Sequence, residues 1–191
     1  MTRQRVRWLI GIGAGMLAAS AGWAAEPAIS PEAQALIAKL DAKDVYERQK
    51  TFLRLEALRE PATAAAIRER IQSRDAHTRE FSVRALAAVE GAHAIPTLVE
   101  RLTKDRVVNV RLAALLALEP LRQYDSSLTL VFIRALRDRD PDIRMAAVDV
   151  VSRIDHPIAR EAVLTRWRQE RHRDVRRVLE DAMKRIGALG R

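Results

Sequence analysis

Few side chains in this sequence are of a type and spacing that performs chemistry. There is no cysteine, which removes thiolate nucleophiles, zinc–thiolate sites, iron–sulfur clusters and disulfides together. The four histidines, His77, His93, His156 and His172, stand at or near turns and never four residues apart, so no HExxH zinc helix is present. Asp138, Asp140 and Asp142 alternate as in a calcium loop. The glycine and terminal glutamate of such a loop are missing, and DRDPD reads instead as the acidic start of a helix. Neither GxSxG nor GxxxxGK[ST] occurs. Gly11, Gly13 and Gly15 spell GxGxG, but no strand precedes them. The expectation is no catalytic residue, no cofactor and no metal.

The cations are arranged more tellingly. The first 24 residues carry three arginines and no acid, then an apolar run, WLIGIGAGMLAASAGWAA. A basic start, an apolar stretch and small residues at Gly22 and Ala24 are the features of a secretory signal, expected to be removed after Ala24. A periplasmic or secreted protein follows. Residues 25–159 are close to neutral, whereas 160–191 hold ten Lys/Arg against five Asp/Glu. Within that end, Arg168, Arg171, Arg173 and Arg177 cluster around one turn and form a candidate partner-binding surface.

The elements that position these groups are helices. Ala, Leu, Arg and Glu dominate, prolines punctuate the chain, and no stretch alternates with period two. Self-comparison finds Arg48, Arg79, Arg111, Arg144 and Arg176 at spacings of 31, 32, 33 and 32. Three residues after each stands a mostly small residue (Thr51, Ser82, Ala114, Ala147, Leu179), and seven after each an apolar one (Leu55, Leu86, Leu118, Val151, Met183). A preceding helix contributes Leu36, Ile67, Leu98, Phe132 and Val163, with Leu40, Ile71, Leu102, Leu136 and Trp167 one turn later. Trp167 is thereby read as a core residue. These columns predict an all-α, right-handed α-solenoid of about five helical hairpins over 30–60, 61–91, 92–122, 125–155 and 156–188, within a single domain 25–191.

DRVVNVRLAALLAL and LRDRDPDIRMAAVDVV resemble the second helices of HEAT repeats, in particular the short HEAT-like repeats of the phycobilisome-lyase type, and AIPTLVERL resembles the matching first helix. Such repeats place an acid six residues before the arginine and link neighbouring repeats through the pair. That resemblance implies a structural ladder of Asp105, Asp138 and Glu170 with Arg111, Arg144 and Arg176, while Ser73 and Ala42 break the pattern. The family includes bilin lyases, yet an exported, cysteine-free chain with two tyrosines shows no reason to handle a bilin.

Together these readings predict a non-catalytic exported scaffold or adaptor and not an enzyme. It is expected to be monomeric and to bind a protein partner, an acidic one or an anionic envelope component, on its concave or basic C-terminal surface. The runner-up is a nucleic-acid-binding or DNA-processing helical-repeat protein, supported by the basic residues and opposed by export. N-terminal sequencing of the native protein is expected to start near Ala25; an intact N-terminus in the membrane fraction would identify the leader as an anchor.

Overall fold

The computed structural model describes residues 29–188. The leader read in residues 1–24 lies outside them. Ten α-helices follow one another among the described residues, and no strand occurs there. They are α1 (Pro31–Ile37), α2 (Val45–Leu58), α3 (Ala64–Arg70), α4 (Ala76–Glu90), α5 (Ile95–Lys104), α6 (Val108–Leu118), α7 (Leu128–Ala135), α8 (Pro141–Val151), α9 (Pro157–Gln169) and α10 (Arg173–Arg185).

Helix starts are written in the side chains. The Ser30 hydroxyl accepts from the Ala33 amide at 3.1 Å, and Asp75 accepts from Thr78 at 3.0 Å. Asp44 and Asp140 do the same for Tyr46 and Asp142. Each cap satisfies an amide that the first turn leaves without a partner. Pro31, Pro141 and Pro157 occupy the first position of α1, α8 and α9, where the missing N–H costs nothing. Pro61 and Pro120 open short 3-10 turns between hairpins. Helix α4 stops at Gly91, whose φ of 54° and ψ of −125° suit a residue without a side chain.

Each odd-numbered helix packs on the even-numbered one that follows it, and α2, α4, α6, α8 and α10 pack on one another in series. Five hairpins thus stack into an α-solenoid with one continuous core. Its layers are the columns of the repeat: Leu55, Leu86, Leu118 and Val151 are fully buried on the second helices, and Ile67, Leu98, Phe132 and Val163 on the first. Between them the small column (Thr51, Ser82, Ala114, Ala147) lets adjacent second helices approach closely, and Thr51 and Ser82 satisfy their hydroxyls on carbonyls one turn back, at Glu47 and Thr78. The longer spacing between the third and fourth hairpins is absorbed by the 3-10 turn Pro120–Gln123 and the loop after it. The first hairpin is wetter, with Glu47 and Lys50 exposed, as befits the end of a stack.

Ala114 and Ala147 have no exposed surface, so leucine at either position is expected to overpack the helix contact and cost about 1–3 kcal/mol in chemical denaturation. Leu118→Ala leaves a cavity in the same layer and is expected to cost about 2–5 kcal/mol.

Candidate functional site

Where each hairpin turns from its first to its second helix, an arginine binds two hairpins together. Arg111 donates from Nη1 to the carbonyls of Asp105 (3.1 Å) and Arg106 (3.3 Å) in its own turn. Its Nε and Nη2 reach forward to Asp138 of the next hairpin at 3.0 and 2.9 Å. Arg144 repeats this with its own turn and with Glu170 (2.9 and 3.3 Å), and Arg79 with its own turn and Asp105 (2.9 and 3.0 Å). Arg48 bonds the Ala42 carbonyl and then Asp75 at 3.0 Å. Each carboxylate therefore serves the arginine of the preceding hairpin, not the one six residues on. The rungs from Arg48 and Arg79 have no acid at the family offset in their own turn, and Asp75 supplies its carboxylate from two residues further along. Arg176 closes the series. It bonds the Glu170 carbonyl at 3.1 Å and lies 4.5 Å from the centre of the Trp167 ring, which is only half-buried because no sixth hairpin covers it.

The pairs are charged in the folded state. Burial pushes Glu170 toward neutrality. Hydrogen bonds from Arg144, the His172 amide and Arg166, with the charge of Arg166, overcome that and bring its pKa from 4.5 to about 2. Asp105 is likewise lowered: the Arg79 hydrogen bonds and the Val107 amide outweigh its burial. The acidic triplet noted in the sequence is consumed structurally, Asp138 by Arg111 and Asp140 as the cap of α8.

A groove of about 730 Å³ lies on the series of second helices, at the end away from these turns. Its floor is apolar, made by Ala87 and Ala88 of α4 and Leu112 and Leu116 of α6, and Leu116 is 52 % exposed. Charged groups rim it. Arg84 reaches Glu56 at 3.4 Å, and Glu80 stands 3.9 Å from Nδ1 of His77, whose ring stacks on Phe81. Tyr124, 67 % exposed, closes one end. Arg59 joins the rim from a left-handed backbone conformation, φ 51° and ψ 33°, at the C-cap of α2. A side chain other than glycine is held there at a cost of roughly 1 kcal/mol. Columns that vary between repeats build this groove, so the period that exposes the core does not announce it. The excess apolar residues of α6 (VNVRLAALLAL) are its one sequence signal.

Arg168, Arg171, Arg173 and Arg177 are all exposed around the α9–α10 turn. Among the described residues only Arg168 has an ion-pair partner, Glu161 at 3.8 Å. No group of His, Asp and Glu among those residues is placed to hold a metal ion, and no helix there is long and apolar enough to cross a membrane.

Stacked hairpins joined by arginine rungs, with a groove along the inner helices, define a helical-repeat solenoid. The profile of HEAT repeats matches residues 33–119 and 108–184, and the chain belongs to the HEAT-repeat family. Among solved structures, the complex of CpcE and CpcF of phycocyanin lyase from Nostoc sp. PCC7120 contains a similar chain. It has a TM-score of 0.62 at 20% identity, over 79% of this chain and 97% of that one. No curated protein matches in sequence. The structural match corrects the expectation of a non-catalytic scaffold that is not an enzyme, and with it the nucleic-acid alternative. The same solenoid serves in a lyase complex, so the lack of a familiar catalytic motif is no argument against catalysis.

Since the Glu170 pKa is lower folded than unfolded, its stabilisation is full above pH 4.5 and lost as the pH falls toward 2. Thermal melts followed by circular dichroism are expected to show this loss. Glu170→Gln is expected to be weaker by roughly 3 kcal/mol at neutral pH, because Arg144 and Arg166 lose their partner, and to show a flatter acid limb.

Proposed function

We propose that this chain is a lyase-type HEAT-repeat protein that works in complex with a second protein and holds an elongated, largely apolar, acid-bearing substrate in the groove of α2, α4 and α6. The observation that carries the reading is the groove itself: an apolar floor long enough for an extended molecule, with Arg59 and Arg84 at its rim to receive carboxylates. The likeness to a chain of the two-protein phycocyanin lyase complex supports it. Addition to a double bond, or its reverse, requires a group that exchanges a proton beside the reacting carbon. Glu80, backed by His77, is the carboxylate positioned for this on the groove wall. The strained backbone of Arg59 points the same way, since glycine there would relieve it. We further propose export through the leader, which would place this activity outside the cytoplasm.

Titration of the purified protein with a bilin, followed by absorbance and fluorescence, is expected to show saturable binding. Leu116→Glu is expected to weaken it by about tenfold or more with helicity unchanged, since a charge replaces apolar floor. Arg59→Gly is expected to weaken binding while raising stability by up to about 1 kcal/mol. Glu80→Gln is expected to retain binding and slow transfer to an acceptor protein. Absence of saturable binding, or equal binding by Leu116→Glu, would overturn the assignment of the groove.

A further inference from the structure

Five residues before each ladder arginine stands another cation: Lys43, Arg74, Arg106, Arg139 and Arg171. All five are exposed, and among the described residues none has an ion-pair partner. The turns that carry them share one edge of the solenoid, as the rungs require, and Arg139 Nη2 donates to the Arg106 carbonyl at 3.0 Å across neighbouring turns. The rungs also account for the lack of neutralisation. Asp75, Asp105, Asp138 and Glu170 lie on the same edge but face inward to Arg48, Arg79, Arg111 and Arg144. Asp41 is bound to Arg70, and Asp44 and Asp140 cap helices. In four of the five turns the ladder arginine also bonds the carbonyl of the row residue, at 3.1 to 3.4 Å, and so fixes the backbone from which the outer cation projects.

We propose that this row is a docking edge for an extended acidic segment of a partner protein. Packed helix layers repeat at about 8–10 Å, and an extended chain advances about 3.3 Å per residue. Carboxylates at every third residue of a strand therefore match cations at every repeat. Four of the five row residues are arginines, whose planar fork takes a carboxylate through two hydrogen bonds. A shallow cleft of about 300 Å³ between the second and third turns offers an anchor point. It is lined by Arg79, Arg101, Lys104 and Arg106, and in it the buried Nε of Arg101 has no hydrogen-bond partner. Arg173 extends the row past Arg171 at the C-terminal end. The edge lies at the opposite end of the second helices from the groove and stands independently of the function assigned there.

The test is fluorescence anisotropy of a labelled peptide with glutamate at every third residue, five in all, against an isomer with the five glutamates contiguous. The spaced peptide is expected to bind more tightly, and its affinity to fall steeply with salt. The variant Lys43→Glu, Arg74→Glu, Arg106→Glu, Arg139→Glu and Arg171→Glu is expected to lose binding by about a hundredfold, with unchanged melting. A control with the same change in net charge elsewhere (Lys39→Glu, Lys50→Glu, Arg54→Glu, Arg122→Glu, Lys184→Glu) is expected to retain most of it. Equal loss in the two variants, or no preference for the spaced peptide, would overturn the proposal. So would row-dependent binding to phosphatidylglycerol vesicles without binding to the peptide, which would assign the edge to a membrane surface.

Discussion

The forward-reaching arginine is the constraint on which this molecule depends. Each rung joins an arginine to a carboxylate 26 or 27 residues later and ties both to the backbone of a turn. A buried ion pair contributes little net stability compared with apolar residues of similar size, but removing one partner strands the other. Its value here is registry. Apolar faces tolerate sliding by a turn, whereas a guanidinium with two hydrogen bonds forward and one or two back tolerates almost none. Leucine and alanine columns supply the cohesion of the stack, and the rungs decide which layer meets which.

That registry divides the molecule into two functional ends. At the turns the rungs consume nearly every carboxylate, so the remaining surface there is cationic by subtraction. At the other end of the second helices no rung intrudes, and the repeat is free to vary, so small and apolar residues of α4 and α6 open a groove between flanking charges. Fold and site are thus separated within each helix: its first turns hold the array together, and its later turns differ from hairpin to hairpin.

This separation explains what the sequence discloses. Arg111, Arg144, Ala114 and Leu118 recur at a fixed period because every hairpin needs them, and periodicity exposes what is needed repeatedly. The direction of the rungs is hidden, because Asp138 is as close in sequence to Arg144 as the offset rule demands while its side chain serves Arg111. Asp75 is hidden for another reason: it meets Arg48 from a different offset, which column matching skips. Glu80, Arg84, Leu116 and Tyr124 occupy positions where the repeats disagree, so comparing repeats discards the groove as noise. The lyase connection was legible only as resemblance, and weighing it against missing motifs gave the wrong answer.

The last rung sets the length of the assembly. In an array where every hairpin reaches for the next, a final arginine left extended would be a hook for the first hairpin of another copy, and repetition of that contact would grow a filament. Arg176 instead turns back onto Trp167 of its own hairpin. The aromatic ring stands where the preceding hairpins carry Leu40, Ile71, Leu102 and Leu136, and it supplies the acceptor that a sixth hairpin would otherwise have provided. A single leucine-to-tryptophan difference in one column works as a chain terminator, keeping the protein a finite object.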